Sequence, residues 1–340
     1  MERCLQLAKN GLGQTYPNPL VGCVIVHEGK IIGEGWHQKA GTGHAEVNAI
    51  NSVKQPELLK NATLYVNLEP CSHYGKTPPC SQLIIKKGIP RVVVGITDPN
   101  PKVAGRGIQQ LREAEIEVKV GCLSNKCTEL NRRFLTAQIK KRPYIILKWA
   151  ETADGFIAPT TQKTGRAFWI TNTYSKQIVH KWRSEEQAIL VGKNTAIKDN
   201  PQLNTRLWKG NNPVRIAIDR DLEILKSSKH FLLDQTVKTV IFCKASNTDK
   251  DNLLFKVIDF AKPVVPQVLT ALYHLNLQSL IVEGGAYTLQ QFIDADLWDE
   301  ARVFTGAPHL QSGIKAPTFN ALPYREIKIQ NDILKLYKHD

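Results

Sequence analysis

Residues 63–80 read TLYVNLEPCSHYGKTPPC, and the order of features in this stretch decides how the first half of the chain is built. Thr63–Leu68 is a β-rich run that Glu69-Pro70 terminates, leaving Cys71 at its end. Cys80 follows after an eight-residue insert and opens a helical pattern over Ser81–Lys87, closed by Gly88. Upstream, His44-Ala45-Glu46 opens a second helical pattern, His44–Val53. Working outward, Val21–Val26 and Ile31–Glu34 flank His27-Glu28-Gly29-Lys30 as a hairpin, and Arg91–Thr97 reads as a buried strand. Arg106–Ala114 and Ser124–Lys140 read as helices, the latter with Ser124 as N-cap. Short β runs alternating with helices predict an α/β sandwich.

One strand end and two helix starts therefore carry a histidine, two cysteines and a glutamate. Each residue alone is commonplace, since a lone buried cysteine is usually a small core residue. Together, His44, Cys71 and Cys80 form a nitrogen and thiolate set suited to Zn²⁺, with the fourth position left for water as in a catalytic site. Zinc in such a site lowers the pKa of water to about 7. Glu46 need not bind metal. In zinc nucleobase deaminases the equivalent glutamate moves protons between water and the leaving amine. A structural zinc closed by a fourth ligand is the alternative, and His73 is the available residue. The order HxE, strand, EPC favours the deaminase. Its generic C-x-x-C spacing is replaced here by the insert Ser72–Pro79, which predicts a loop over the pocket carrying His73 and Lys76.

The bulk properties set the frame. A chain of 340 residues is long for one core, so two domains are expected. Lys140-Lys141-Arg142-Pro143 marks the boundary, giving 1–143 and 144–340. The net charge of +14 is spread over both parts, with no run of five like charges. That spread reads as a solvated surface that also attracts anionic small molecules. Nucleic acid would require a concentrated patch, and no nucleic-acid partner is expected. No apolar run approaches the ~20 residues that span a bilayer, and Met1–Leu5 begins an amphipathic helix, not a signal peptide. A cytoplasmic protein with seven reduced cysteines and no membrane association is expected.

The second half repeats the α/β rhythm. Strands are expected at Tyr144–Trp149, Ala188–Val191, Arg215–Asp219, Thr239–Cys243, Ser279–Val282 and Ala301–Thr305. Helices are expected near Ser175–Arg183, Pro266–Leu275 and Tyr287–Ile293, while 245–262 is the least legible segment. Val282-Glu283-Gly284-Gly285 ends a strand and opens a helix, where backbone N–H groups can receive phosphate. It is not GxGxxG, and a plain strand–helix turn reads equally well.

The runs LEPCSHYGKTPPC, PNPLVGCVIV, HAEVNAI and DPNPKVAGRG resemble the bifunctional deaminase/reductase family of riboflavin biosynthesis, and the resemblance extends over nearly the whole chain. It implies an N-terminal cytidine-deaminase-like α/β/α sandwich and a C-terminal dihydrofolate-reductase-like α/β domain. The first would deaminate a 2,5-diamino-6-(5-phosphoribosylamino)pyrimidinone. The second would use NADPH to reduce the ribosyl side chain of the product to ribityl. Partners would be phosphorylated pyrimidines, and a homo-oligomer is expected. By motif, Asn18, His73, Lys76, Asp98 and Asn100 would bind the first substrate, with Lys76 at its phosphate. The blocks LKWAETADG, WITN, ILVGKNTAIKDNPQLNTR, RIAID and IVEGG match the reductase half. They place Ala150, Ile157, Trp169, Thr195 and Asp199 at NADPH, its phosphates on Gly285, Ala286, Tyr287, Thr288, Leu289, Gln290 and Gln291, and its 2′-phosphate at Arg220. Ala167, Arg183, Leu203, Arg206 and Glu283 would contact the second substrate, with Lys148 and Glu283 beside the reacting carbon.

Two departures stand out: Thr152-Ala153 replaces the family's usual Ser-Leu before Asp154-Gly155, and the segment Ala158–Phe168 is longer than usual. Cofactor contacts in that segment are expected to differ. A tRNA deaminase shares the HxE and cysteine pair, but it predicts the short cysteine spacing and leaves the second half unexplained. A non-catalytic zinc or nucleotide-binding domain would be favoured by loss of Glu46 or a ligand, and neither is lost.

Overall fold

The structure, a computed structural model, describes residues 1–339 apart from 73, 75–77, 101–102, 162–167 and 228. The chain forms two compact units, Met1–Lys141 and Arg142–Asp340.

In the first unit, the described strands β1 (Gly22–His27), β2 (Lys30–Trp36), β3 (Thr63–Leu68), β4 (Arg91–Ile96) and β5 (Glu117–Val120) form one sheet in the order β2-β1-β3-β4-β5. β1 runs antiparallel to β2 and β3, whereas β3, β4 and β5 are parallel. Helices α2 (Ala45–Asn51), α3 (Cys80–Lys86) and α4 (Arg106–Glu113) contribute Ala49, Ile50, Ile84, Ile108 and Leu111 to a core with Ile25, Leu64, Val66, Val92 and Val94. Helix α1 (Glu2–Ala8) packs Cys4 and Leu7 against Val24, whose side chain alternates to the opposite face from Ile25. Both faces of the sheet are thus covered.

Helix α5 (Ser124–Lys140) starts where expected, but Ser124 is not its cap. The chain enters it through Leu123 at φ +54, which makes Ser124 the first helical residue and leaves its side chain without a capping bond. β5 is a short, mostly exposed edge strand; its Glu-Val-Lys-Val sequence alternates, but over only four residues.

The second unit contains β6 (Tyr144–Glu151), β7 (Phe156–Ala158), β8 (Ala188–Gly192), β9 (Val214–Ile218), β10 (Thr239–Cys243), β11 (Leu253–Val257), β12 (Ser279–Val282), β13 (Glu300–Thr305), β14 (Ile314–Lys315), β15 (Arg325–Ile329) and β16 (Asp332–Lys338) among its described residues. The main sheet has the order β11-β10-β9-β8-β12-β6-β13-β16-β15, while β7 and β14 form a separate ribbon. From β11 to β13 neighbouring strands are parallel, and β16 and β15 close the edge as an antiparallel hairpin. β8, β10 and β12 are buried at every residue, as parallel strands covered on both faces must be. Helices α8 (Val264–His274) and α9 (Ala286–Asp294) pack Val268, Leu272, Leu289 and Phe292 on one face. On the other face lie Ala196, from helix α7 (Lys193–Asp199), and Trp182, from helix α6 (Thr173–Glu185). The illegible segment holds β11, in which Leu253 and Phe255 are buried.

Phe304 of β13 is fully buried against Val179, Leu334 and the Trp182 ring, whose centroid is 5.5 Å away. Phe304→Ala should destabilise the second unit by about 3–5 kcal/mol, read from the urea unfolding midpoint.

Candidate active sites

In the first unit, β3 delivers Cys71 beyond its carboxyl end, α2 begins directly after His44, and Cys80 is the first residue of α3. The three ligand atoms lie within 4.8 Å of one another. His44 Nδ1 is 3.3 Å from Cys80 Sγ and 3.5 Å from Cys71 Sγ. The backbone N–H of Cys80 also donates to Cys71 Sγ at 3.3 Å. A hydrogen bond from the Cys80 thiol lowers the pKa of Cys71 and raises that of Cys80. One imidazole and two thiols converging this closely fit a zinc ion by donor type and number. Glu46, in the first turn of α2, is buried at 3% exposure. Burial, reinforced by the charge on Cys71, pushes its carboxyl up to about 7.

Around this group the chain is tied down by side chains distant in sequence. Glu69 is buried, and its carboxylate accepts four backbone N–H groups: Asp98 at 3.1 Å, Gly105 at 3.0 Å, Gly107 at 2.9 Å and Ile108 at 3.3 Å. Gly107 is required there, because a Cβ would sit 2.0 Å from the Pro70 carbonyl oxygen. Asp98 Oδ1 accepts the Asn100 N–H at 2.8 Å, shaping the turn that follows β4. Asn18 Nδ2 lies 3.0 Å from His37 Nε2, and His37 Nδ1 lies 3.1 Å from the Gly43 carbonyl. A carbonyl only accepts, so Nδ1 bears the proton and Nε2 accepts from Asn18. Burial lowers the His37 pKa and keeps the ring neutral.

In the second unit, β8 leads through α7 to β9 on one side, while β12 leads through α9 to β13 on the other. The crevice between the carboxyl ends of β8 and β12 is therefore a topological switch point, where α/β sheets bind ligands. The two backbones meet there: a Cβ on Gly284 would lie 2.4 Å from the Gly192 nitrogen. The Gly285 N–H donates to Thr195 Oγ1 at 2.8 Å. At the same end, Glu283 accepts from Arg183 Nη2 at 2.8 Å and lies 3.9 Å from Lys148 Nζ. Burial would raise Glu283, but the Arg183 and Lys148 charges outweigh it and hold the carboxyl down at about 2. Burial likewise lowers the pKa of Lys148.

Residues 1–96 match the cytidine and deoxycytidylate deaminase zinc-binding region, and residues 143–319 match the RibD C-terminal domain. The chain is 41% identical to the riboflavin biosynthesis protein RibD of Aquifex aeolicus over 97% of its own length and 94% of that protein. It is 43% identical to RibD of Bacillus amyloliquefaciens over 94% and 86%. The chain belongs to the RibD family. A crystal structure of the diaminohydroxyphosphoribosylaminopyrimidine deaminase/5-amino-6-(5-phosphoribosylamino)uracil reductase of Thermotoga maritima superposes with a TM-score of 0.90. It is 35% identical, with 99% of this chain and 97% of that one covered. RibD of Acinetobacter baumannii gives a TM-score of 0.87 at 32% identity, with the same shares covered. The family fixes a bifunctional enzyme, a zinc deaminase and an NADPH-dependent reductase in one chain.

Seen as a RibD protein, the site residues fall into place unevenly. His44, Cys71, Cys80 and Glu46 meet, as do Arg183, Glu283 and Lys148. His73, Lys76 and Ala167 lie outside the described residues. Leu203 is buried at φ +50, Trp169 and Tyr287 are exposed, and Ala150 and Ile157 lie on β6 and β7. Asp199 ends α7. Within 285–291, Leu289 is a core residue, Thr288 packs against Gly192, and Gln291 Nε2 donates to Tyr287. Gln290 is bound to the backbone of Thr318 at 2.9 and 3.1 Å. Arg220 is exposed and sits 3.8 Å from Asp221.

Reading the sequence missed Glu69 and His37. Glu69 lies inside the quoted EPC run, but its partners are 29 to 39 residues away and no local pattern announces them. Glu69→Gln would turn an NH₂ group toward backbone donors. The expected result is a KM for deamination raised about tenfold or more, with reduction unaffected, measured by ammonia release and NADPH oxidation on one preparation.

Proposed function

We propose that the first unit hydrolyses the amine from a 2,5-diamino-6-(5-phosphoribosylamino)pyrimidinone and that the second reduces the ribosyl chain of the product to ribityl. The observation that carries this reading is the pairing, in one RibD-family chain, of the His44/Cys71/Cys80 cluster beside buried Glu46 with the Arg183–Glu283–Lys148 group at a nucleotide-type crevice. A tRNA deaminase would leave the second group without a use.

Zinc on His44, Cys71 and Cys80 would supply an activated water at neutral pH. Glu46 accepts a proton from that water as it adds to the amine-bearing ring carbon, then passes the proton to the departing ammonia. A group that must take and give a proton near neutrality works best with a pKa near 7, which burial provides. Asn18, held by His37, and Asp98 and Asn100, held through Glu69, orient the ring, and Lys76 pairs with the phosphate. NADPH bound in the second unit would supply the hydride. Lys148 and Glu283 set the charge beside the reacting carbon, and Arg183 and Arg206 face the substrate phosphate. Thr195 and the Gly285–Tyr287 backbone border the cofactor phosphates, with Arg220 toward the 2′-phosphate. A cytoplasmic, reduced setting suits seven unpaired cysteines, and assembly as a homo-oligomer belongs to the same reading.

Glu46→Gln should still hold about one zinc per chain but release no ammonia; metal analysis and an ammonia assay check this, and substantial turnover would remove Glu46 from the role. Arg206→Ala should raise the reductase KM for the phosphorylated substrate about tenfold or more while deamination is unchanged. An unchanged KM would discredit the phosphate contact.

A further inference from the structure

The segment that carries Arg206 is held by a residue outside every motif quoted above. His180 lies three residues before Arg183 on α6, so both side chains leave the same helix face. His180 is buried, and its Nδ1 accepts the backbone N–H of Arg206 at 3.2 Å. Arg183 Nη1 donates to the Asn204 carbonyl at 3.3 Å, and Arg206 Nη1 donates to Asn204 Oδ1 at 3.0 Å. The segment needs such fastening, because Leu203 just before it sits in the left-handed region.

A backbone N–H only donates, so Nδ1 must present its lone pair and the proton must sit on Nε2. The surroundings enforce that neutral form. Burial first, then the Arg183 and Arg206 guanidinium charges, pull the pKa of His180 down to about 4, against the opposing pull of Glu283. A charged ring would lose the bond to Arg206 and face two like charges.

We propose that His180 is a positioning residue of the reductase: its neutral imidazole pins the backbone at Arg206, so that the guanidinium is already in place for the substrate phosphate. The inference rests on the assignment of Arg206 to that phosphate.

Two variants separate the acceptor from the volume. His180→Asn keeps an acceptor near the Nδ1 position, whereas His180→Phe fills the space without one; His180→Ala carries the same expectation as the Phe variant should that protein not fold. With 5-amino-6-(5-phosphoribosylamino)uracil, His180→Phe should raise the reductase KM about tenfold, since a buried donor is left unpaired. Its kcat, its KM for NADPH and the deaminase activity should stay within about twofold, and the inhibition constant for inorganic phosphate should rise in step with KM. His180→Asn should restore KM to within about threefold of the parent. An unchanged KM in the Phe variant, equal defects in the Asn and Phe variants, or a loss confined to kcat would each overturn the proposal. Arg206→Ala is run alongside. If it leaves KM unchanged, the phosphate assignment fails; if it raises KM while His180→Phe does not, only the positioning role fails.

Discussion

Glu69 places one carboxylate where the loop after β4 and the start of α4 need an acceptor, and the deaminase pocket depends on that tie. Its two oxygens satisfy four backbone N–H groups that would otherwise be buried without partners. An unpaired buried donor costs about 1–3 kcal/mol, so moving this carboxylate would release the Asp98 turn and α4 together. Two residues on stands Cys71, so the same strand end that anchors the pocket wall presents a metal ligand. The opposite wall is fixed in the same way. Asn67 and Asn131 hold the Leu20–Gly22 backbone at 2.7–3.0 Å, and His37 holds Asn18. Neutral side chains do this work on the Asn18 side, which keeps the charge of the site with the ligands and Glu46.

The reductase half reaches a fixed geometry by a different route. Its crevice follows from strand order: two adjacent parallel strands send their chains to opposite sides, and the gap between them is lined by backbone. Glycine at 284 allows those backbones to touch, and glycine at 192 leaves room for Thr288. Charge is then added on one flank as a buried group of Arg183, Glu283 and Lys148, in which each ion is paid for by its neighbours. Removing one partner would leave an uncompensated buried charge, which is why the group is rigid as well as polar.

Much of the fold was legible where burial makes the pattern simple. Thr63–Leu68, Thr239–Cys243 and Ser279–Val282 are strands to the residue, because apolar runs bounded by turn residues have few other solutions. The sheet edges were not legible: β5, β11 and the β15–β16 hairpin are short or half-exposed and are stabilised by the strand beside them. Ser124 shows the limit at finer scale, since an N-cap residue type stood at a helix start whose entry is set by the left-handed Leu123. The charge of +14 is spread along the chain, so it pointed to anionic small molecules in general and to no particular site.

By itself, the sequence determined the chemistry: which residues can ligate zinc, which glutamate can carry a proton, and which strand–helix turns can receive phosphate. These depend on residue type and local order, and local order survives folding. The tertiary structure decided what holds those groups in place. His44 and Cys80 come from the starts of two separate helices and meet Cys71, just past the end of β3, only because the folded chain packs α2 and α3 against each other. Glu69, His37 and His180 act through hydrogen bonds to backbone far along the chain or across a turn. Such bonds have no sequence period, so only the packed chain reveals them.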